Sequence, residues 1–265
     1  MTVPAGQRAE GPSIARVYDY LLGGSHNFPP DQEAAAEFLA RWPDARQTMR
    51  ANRAFLGRAV TYLAAEAGIR QFLDIGSGIP TMGNVHEIAQ YAAPGARVAY
   101  VDNEEVAVLH SRAILAANPN AIAVQADLRR PRELLGSPPL QTLLDFSQPV
   151  ALLLVAVLHF FPDSDQPARL VAELRDAVAP GSYVVISHGT TDGQSSQVAE
   201  AMGHYNQTTA PFQPRSRAEI MAFFDGWEMI NPGLVPVPQW RPDPPATPGD
   251  PPERIAAYGG AGLRR

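Results

Sequence analysis

The spacing of apolar residues changes near residue 70 of the chain. Before that point they recur every three to four positions, as at Val60 and Leu63, which predicts a helix over about Arg46–Ala67. Two shorter helical segments come earlier, so three helices are predicted ahead of the first strand. We expect residues 13–67 to form a helical lid, whereas residues 1–12 are small and polar and are predicted to be disordered.

After residue 68, short apolar runs alternate with helical segments. The runs that predict strands are Gln71–Ile75, Arg97–Val101, Ala121–Gln125, Val150–Val155 and Tyr183–Ser187. Such alternation is typical of a parallel sheet covered by helices on both faces. Trp227–Ile230 and Ile255–Leu263 are predicted to add an antiparallel hairpin, and the proline-dense insertion between them, about 232–252, to be an exposed excursion. The predicted fold is α/β: a doubly wound, mostly parallel seven-stranded sheet over residues 68–265.

Composition narrows the classes of function. The formal net charge is −6 and the basic residues are scattered, so a nucleic-acid partner is not expected. The chain has no cysteine, which excludes disulfides and thiol nucleophiles and fits a cytoplasmic protein. Its longest apolar run, from Val150 to Leu158, is too short to cross a bilayer, so no membrane partner is expected either. His26, His110 and His204 lack metal-ligand spacing with nearby acids, and no metal site is predicted.

Three predicted strands deliver an acid to the edge of the sheet where ligands of this fold class bind. Asp74 precedes a glycine turn, and Asp102 and Asp127 follow the next two strands. Gly76 and Gly78 let a ligand approach the backbone, because a Cβ there would block it. Asp102 is placed to accept hydrogen bonds from both hydroxyls of a ribose, and Asp127 from the amine of an adenine.

A nicotinamide cofactor uses the same fold and the same ribose acid, so it is the nearest alternative. Its G-x-G-x-x-G fingerprint needs a third glycine where the helix packs on the strand, and this chain has Thr81 there. A carboxylate at Asp74 would also sit badly beside a pyrophosphate, whereas it suits the ammonium group of a methionine moiety. The residues therefore favour S-adenosylmethionine.

Motifs along almost the whole chain resemble known methyltransferases. FLDIGSG, YVDNEE, QADL and LLLVAVLHFFPD resemble the cofactor motifs of class I S-adenosylmethionine-dependent methyltransferases, although Pro80 replaces the usual third glycine. ARVYDYLLGGSHNF, ANRAFLGRAV and RSRAEIMAFFDGWEMINPGLVPVPQWRPD resemble an actinobacterial S-adenosyl methyltransferase family, formerly a domain of unknown function. This second resemblance covers Ser13 to Leu263. It implies a Rossmann-like enzyme that uses S-adenosylmethionine, but no general acceptor.

The resemblance also implies roles for individual residues. Those that would hold the cofactor are Gly76, Ser77 and Gly78 at the methionine end, Asp102 and Asn103 at the ribose, Asp127 and Leu128 at the adenine, and Ala156 and Val157 beneath the sulfonium. Tyr20, Asn27 and Arg53 are predicted to close over the cofactor, with Arg53 suited to its carboxylate.

Some of these residues have plain structural alternatives. Asp102 is also a suitable helix N-cap, a role compatible with ribose binding. Asp127 could cap a turn or pair with Arg129 or Arg130, and Arg53 could be a solvated residue on a helix surface.

The predicted reaction is an in-line displacement in which a small-molecule acceptor attacks the cofactor methyl through oxygen, nitrogen or carbon. His159 and His188 are the candidate general bases, needed only for a poorly acidic acceptor; either could instead be a packed histidine. Tyr205 and Phe212 would line the acceptor pocket or the core. A protein that binds the cofactor for regulation or as a scaffold, without turnover, is the alternative, and the sequence does not indicate an oligomeric state.

Overall fold

The computed structural model describes residues 11–80, 83–194, 212–242 and 255–265. Its helices are α1 (Ile14–Leu22), α2 (Pro29–Arg41), α3 (Ala45–Ala65), α4 (Val85–Ala92), α5 (Glu105–Leu115), α6 (Pro131–Leu135), α7 (Pro138–Leu143), α8 (Pro167–Ala177) and α9 (Arg217–Met221). Its strands are β1 (Gln71–Ile75), β2 (Arg97–Asp102), β3 (Ala121–Gln125), β4 (Ala151–Val155), β5 (Tyr183–Gly189), β6 (Glu228–Met229), β7 (Val235–Pro236) and β8 (Ala257–Leu263). Within those described ranges, none of the helices is long and apolar enough to cross a bilayer.

Helices α1 and α2 are joined through a buried ion pair. Ser13 caps α1, Gly23 ends it in the left-handed conformation with φ 87°, and the side chains of Arg16 and Asp31 meet at 2.8 Å. The carboxylate of Asp31 also accepts hydrogen bonds from the backbone N–H groups of Ser13 and Phe28. Because both charges are buried and paired, the two helices are held as one unit ahead of α3.

The sheet has the predicted doubly wound topology. Strands run in the order β3-β2-β1-β4-β5-β8-β6, and every pair from β3 to β5 is parallel. The late strand β8 is antiparallel to both β5 and β6, as the predicted hairpin requires, and short β7 pairs with β8 beside this seven-strand order. The direction of winding reverses between β1 and β4. Ligands of such sheets bind beyond the carboxyl ends of the strands at this switch point.

Each face of the sheet is covered by its own group of helices. One face packs α6 to α9 and includes Leu73, Leu152 and Ile186. The opposite face packs α3, α4 and α5 and includes Phe72 and Leu153. Neighbouring residues of one strand thus enter opposite layers, which explains why the central strands are continuously apolar.

The first part of the proline-dense segment packs against the fold, contrary to the expectation of an exposed excursion. Leu234, Val237 and Trp240 are fully buried. Arg58 of α3 donates hydrogen bonds to the carbonyl oxygens of Val237 and Trp240, at 2.7 and 2.9 Å, and Phe55 meets Trp240 edge to face. The apolar residues between the prolines are what bury this segment, whereas its high proline content alone indicated an exposed one. Residues 243–252 of the predicted insertion and residues 1–10 of the N-terminal segment lie outside the described residues.

Candidate functional site

A cavity of about 390 Å³ lies at the switch point of the sheet. Its walls come from α1 and α3, from the carboxyl ends of the parallel strands and from the start of β8. Of the predicted site residues it is lined by Arg53, Asp74, Gly76, Ser77, Gly78, Asp102, Asn103, Asp127, Leu128, Ala156, Val157, His159 and His188. Residues far apart in the sequence therefore meet around one volume that suits a small organic ligand.

The glycine turn after β1 is shaped by contact with the loop after β4. Gly76 has φ 71°, and a Cβ on it would lie 2.2 Å from a methyl carbon of Val157. Gly78 has φ 61° and borders open space, since the atom nearest to a Cβ there would be the Cβ of Ala15, at 4.0 Å. The first glycine thus allows two loops to pack, whereas the second leaves room for a ligand beside the backbone.

Asp102 binds both the glycine turn and Glu104, which is the N-cap residue of α5; Asp102 is therefore not the N-cap itself. Its two carboxylate oxygens accept hydrogen bonds from the backbone N–H groups of Gly78, at 2.8 Å, and Glu104, at 2.9 Å. Burial raises its pKa, and these hydrogen bonds oppose that rise. Each oxygen still has a lone pair, so these two hydrogen bonds are compatible with binding the hydroxyls of a ribose.

Two further carboxylates extend this polar end of the cavity. Glu104 accepts a hydrogen bond from the side chain of Ser13, and burial raises its pKa. Asp127 accepts the backbone N–H of Arg129 at 2.9 Å and forms an ion pair with its side chain at 3.5 Å, both through Oδ1. Asp127 therefore does cap a turn and pair with Arg129, which is the structural alternative to adenine binding. Within the described residues, its other oxygen, Oδ2, has no hydrogen bond.

Asp74 lies deeper in the cavity, at the end of β1. Burial raises the pKa of its carboxyl to about 7; nearby Arg53 opposes the rise and Asp102 adds to it. Arg53 reaches across from α3 and also donates to the side-chain oxygen of Asn84 at 3.4 Å. This side of the cavity consequently combines a proton-binding carboxyl with a guanidinium.

A chain of hydrogen bonds joins the lid helices to the loop after β4. Ala156 has φ 56°, an unfavourable conformation for alanine, and its N–H donates to the Ser187 hydroxyl at 3.0 Å. That hydroxyl donates to the Asn52 side chain of α3 at 2.5 Å, and Asn52 donates in turn to the Tyr18 hydroxyl of α1 at 3.2 Å. The strained corner that brings Val157 onto the glycine turn is thereby held from the lid side.

Replacing Ser187 by Ala should lower both the affinity for the cofactor and the free energy of unfolding. The change removes the hydroxyl that donates to the buried side-chain oxygen of Asn52, and leaving such an oxygen unpaired costs about 1–3 kcal/mol of unfolding free energy. Ser182→Ala is the matched control, because this buried hydroxyl accepts the N–H of Val150 at 3.0 Å at the other end of β5. Denaturant melts and calorimetric titration with S-adenosylmethionine should show similar destabilisation but weaker binding only for Ser187→Ala. Equal affinities in the two variants would contradict the role of this chain of hydrogen bonds.

The two candidate bases are already engaged in hydrogen bonds. His188 contacts the carbonyl oxygen of Gly189 through Nδ1, at 2.7 Å, and the guanidinium of Arg215 through Nε2, at 3.1 Å. Since the arginine can only donate, Nε2 accepts, and burial lowers the pKa of His188 to about 3. His159 accepts the N–H of Gly189 through Nδ1, at 3.3 Å, and burial lowers its pKa well below the ordinary value. This geometry argues against His188 as a general base.

Two predicted cofactor ligands are not among the residues that line the cavity. Tyr20 packs with its ring against the guanidinium of Arg46, 5.2 Å from the ring centre. Asn27 donates to the carboxylate of Asp19 and to the carbonyl oxygen of Gly24, both at 2.9 Å. Both residues therefore stabilise the lid, and neither is among the lining residues. Tyr205 lies outside the described residues, whereas Phe212 lines the cavity.

Several lining residues were missed in the sequence, although some carried a signal. Asn52 falls on the same helix face as Leu56 and Leu63, and a polar residue in an apolar stripe of this kind has a partner in the interior. Glu104 stands inside the motif that supplied Asp102. Ser187 offered no comparable signal, because serine is common at the end of a strand.

Comparison with known proteins agrees with this geometry. The family model of the S-adenosyl methyltransferases matches residues 5–265, and no curated protein matches the chain. A solved structure of a DUF574 family protein from Streptomyces avermitilis is 41% identical, with a TM-score of 0.93 over 97% of this chain and 98% of that one. A protein from Thermobifida fusca, described as a candidate methyltransferase, is 38% identical, with a TM-score of 0.93 over 99% and 98%.

A more distant structure shares the fold alone. The N-methyltransferase NodS from Bradyrhizobium japonicum, solved with S-adenosyl-L-homocysteine, is 11% identical and has a TM-score of 0.52 over 94% of this chain and 98% of that one. Because the family model matches almost the whole chain and two relatives are 41% and 38% identical, the chain belongs to the S-adenosyl methyltransferase family, whose enzymes use S-adenosylmethionine as the methyl donor.

Proposed function

We propose that this enzyme transfers a methyl group from S-adenosylmethionine to a small-molecule acceptor by in-line displacement. The observation that carries the proposal is that one cavity is continuous from the strand-end carboxylates to an apolar end. None of the residues at that apolar end is assigned to cofactor binding. Asp102 and Asp127 lie at the polar end, while Trp42 and Phe212 line the apolar end. Such a cavity offers chemically different surfaces to a cofactor and to an acceptor.

The residues at the polar end fit the cofactor. The backbone at Gly78 is open, and the carboxylate of Asp102 retains lone pairs for the two ribose hydroxyls. Oδ2 of Asp127 is available for an adenine amine. Asp74 suits the ammonium and Arg53 the carboxylate of the methionine moiety, because each would meet an opposite charge in a buried setting.

When bound, S-adenosylmethionine supplies a methyl group on a positively charged sulfur, which is already activated for displacement. The protein then needs mainly to align the two partners and to exclude water. Ala156 and Val157, held by Ser187, form the floor between the polar and apolar ends. The helices of the lid cover the opposite side. Alignment of this kind can contribute about 7–11 kcal/mol to lowering a barrier.

The size and the lining of the cavity favour a small acceptor over a macromolecular one. Helices α1 and α3 contribute Tyr18, Asn52 and Arg53 to its wall, and the α2 cap residue Trp42 is buried at its apolar end. A volume of about 390 Å³ is within the range typical of small-molecule sites.

Calorimetric titration with S-adenosylmethionine tests the proposal. We expect saturable binding by the wild type and an affinity roughly 100-fold lower for Asp102→Ala, because the variant loses two charge-assisted hydrogen bonds to the ribose. Asp145→Ala is the matched control: its exposed carboxylate also accepts an N–H two residues ahead, from Ser147 at 3.0 Å, but does not line the cavity. No binding by the wild type, or equal affinity of the two variants, would contradict the proposed site.

A further inference from the structure

His159 presents a hydrogen-bond donor to the cavity rather than a base. Its Nδ1 accepts the N–H of Gly189 at 3.3 Å, so the proton of the neutral ring is on Nε2. Within the described residues, Nε2 has no hydrogen-bond partner. The groups facing the ring are His188 of β5 and Arg215 ahead of α9, and both oppose a second proton on His159. The imidazole is therefore neutral at physiological pH, and Nε2–H is its remaining polar group.

Aromatic rings pack beside the imidazole ring that carries this donor. The ring of His159 lies 4.4 Å from that of Phe160 and 4.5 Å from that of Phe212. Phe212 packs tightly on the backbone of Gly189, where a Cβ would lie 2.6 Å from the ring. It also packs against the cluster that contains Trp42, so the aromatic wall continues to the lid. A flat, apolar ligand matches a wall of this composition.

The carboxylates that line the cavity are all at its polar end. Among the described lining residues these are Asp74, Asp102, Glu104 and Asp127, next to the glycine turn or the strand ends beside it. At the aromatic end, both nitrogens of His188 are occupied and Nδ1 of His159 is occupied. The described residues there thus provide a donor but no accessible group that could take a proton from an acceptor.

Building on the proposed function, we infer that the acceptor is an aromatic compound whose methyl-accepting oxygen is already ionised when it binds, as in an acidic phenol or an aromatic carboxylic acid. The oxyanion accepts a hydrogen bond from Nε2–H of His159 and uses another lone pair to form the C–O bond. The C–S bond breaks and its electron pair passes to sulfur. No proton is released, and a neutral methyl ether or ester leaves with neutral S-adenosylhomocysteine.

An amine fits these surroundings less well. A neutral amine has one lone pair, which cannot accept a hydrogen bond from His159 and attack a methyl group at once. Its product would carry a positive charge or need to pass a proton to a base. An oxyanion has lone pairs for both contacts, and the sulfonium attracts it electrostatically.

Absorption spectroscopy with para-nitrophenol, recorded immediately after mixing, tests the inference by a readout other than product formation, because only the ionised form absorbs visible light. We expect the protein loaded with S-adenosylmethionine to bind it as the phenolate even at mildly acidic pH. Binding should be weaker when S-adenosylhomocysteine, which lacks the sulfonium charge, is loaded. Benzoate should compete with the phenolate, and cyclohexanecarboxylate and aniline should compete poorly.

Two variants of His159 separate donation from proton removal. Glutamine can still donate a hydrogen bond, so His159→Gln should bind the phenolate within about threefold of wild type, whereas His159→Leu should bind it about 10- to 100-fold more weakly. Affinity for S-adenosylmethionine, measured in parallel, controls for folding of each variant. If the leucine variant does not fold, the visible absorption of phenolate bound to the wild type and to His159→Gln still tests the inference.

The outcomes distinguish this inference from the proposed function. Failure of S-adenosylmethionine to bind would overturn both. If it binds, and para-nitrophenol then binds un-ionised, fails to bind or is displaced more readily by aniline than by benzoate, the inference alone is overturned. A phenolate band in the wild type that survives in His159→Gln supports it.

Discussion

Replacing Gly76 by Ala is expected to abolish binding of S-adenosylmethionine and to lower the unfolding free energy by about 2–5 kcal/mol. Two costs add up. The backbone at φ 71° is unfavourable for a residue with a Cβ, by about 1–2 kcal/mol. The new methyl would also lie 2.2 Å from a methyl carbon of Val157, and relieving such an overlap costs about 1–3 kcal/mol. Because Val157 forms part of the cavity floor, its displacement deforms the site itself.

Gly68→Ala is the control for this substitution. Gly68 has a similar φ of 77°, but a Cβ there would meet no atom within 4 Å, and it lies between α3 and β1, away from the cavity. We expect only the backbone cost, about 1–2 kcal/mol, and unchanged affinity for the cofactor. Denaturant unfolding and calorimetric titration measure both quantities. Equal destabilisation of the two variants would show that the contact with Val157 is relieved without cost.

Replacing Asp74 by Asn should remove a loss of stability at high pH. The pKa of Asp74 is raised to about 7 in the fold, whereas an unfolded aspartate titrates near its ordinary value of about 4. Between these two values the folded state keeps a proton that the unfolded state has lost. Stability therefore falls as pH rises from about 4 to about 8, by about 4 kcal/mol, since one pKa unit corresponds to about 1.4 kcal/mol.

Unfolding free energies of wild type and Asp74→Asn, compared across this pH range, isolate the contribution. Their difference should change by several kcal/mol in favour of the variant as pH rises, because asparagine does not ionise. Asp145→Asn is the control, since hydrogen bonds from Ser147 lower the pKa of this exposed carboxyl instead. A difference that is constant with pH would mean that Asp74 titrates normally.

The same carboxyl should make cofactor binding depend on pH. A cation bound beside Asp74 favours its ionised form, so affinity of the wild type for S-adenosylmethionine should rise as pH increases towards and through about 7. Asp74→Asn should bind more weakly and lose this rise.

The fold could be predicted because its determinants are local. Continuous apolar strands, separated by amphipathic helices, indicate a sheet covered on both faces, and the acids at Asp74, Asp102 and Asp127 mark the ends of three of them. The contacts between distant segments could not be predicted in the same way. The hydrogen bond between Asn52 and Ser187 joins residues 135 positions apart. Nothing in the sequence around either residue indicates that the other is its partner.

The choice among the tyrosines of α1 illustrates the same limit. Tyr18 and Tyr20 are two positions apart, so their side chains leave the helix on nearly opposite sides. Only the packing of α2 and α3 decides that Tyr18 faces the cavity while Tyr20 faces Arg46. For the histidines, the sequence could indicate the position of His159 beside the site, but not that Gly189 would occupy Nδ1.

The position of β8 between β5 and β6 affects how this protein can fold during its synthesis on the ribosome. β6 is synthesised before its neighbour in the sheet, so it has no strand to pair with until residues 257–263 emerge. Until then the edge of β5 is also exposed, and the cavity lacks the wall provided by Ala256 and Ala257. Open edges of this kind favour pairing with other chains. We therefore expect nascent chains to be prone to association until β8 has been made, and the site to become competent only when β8 has paired with β5.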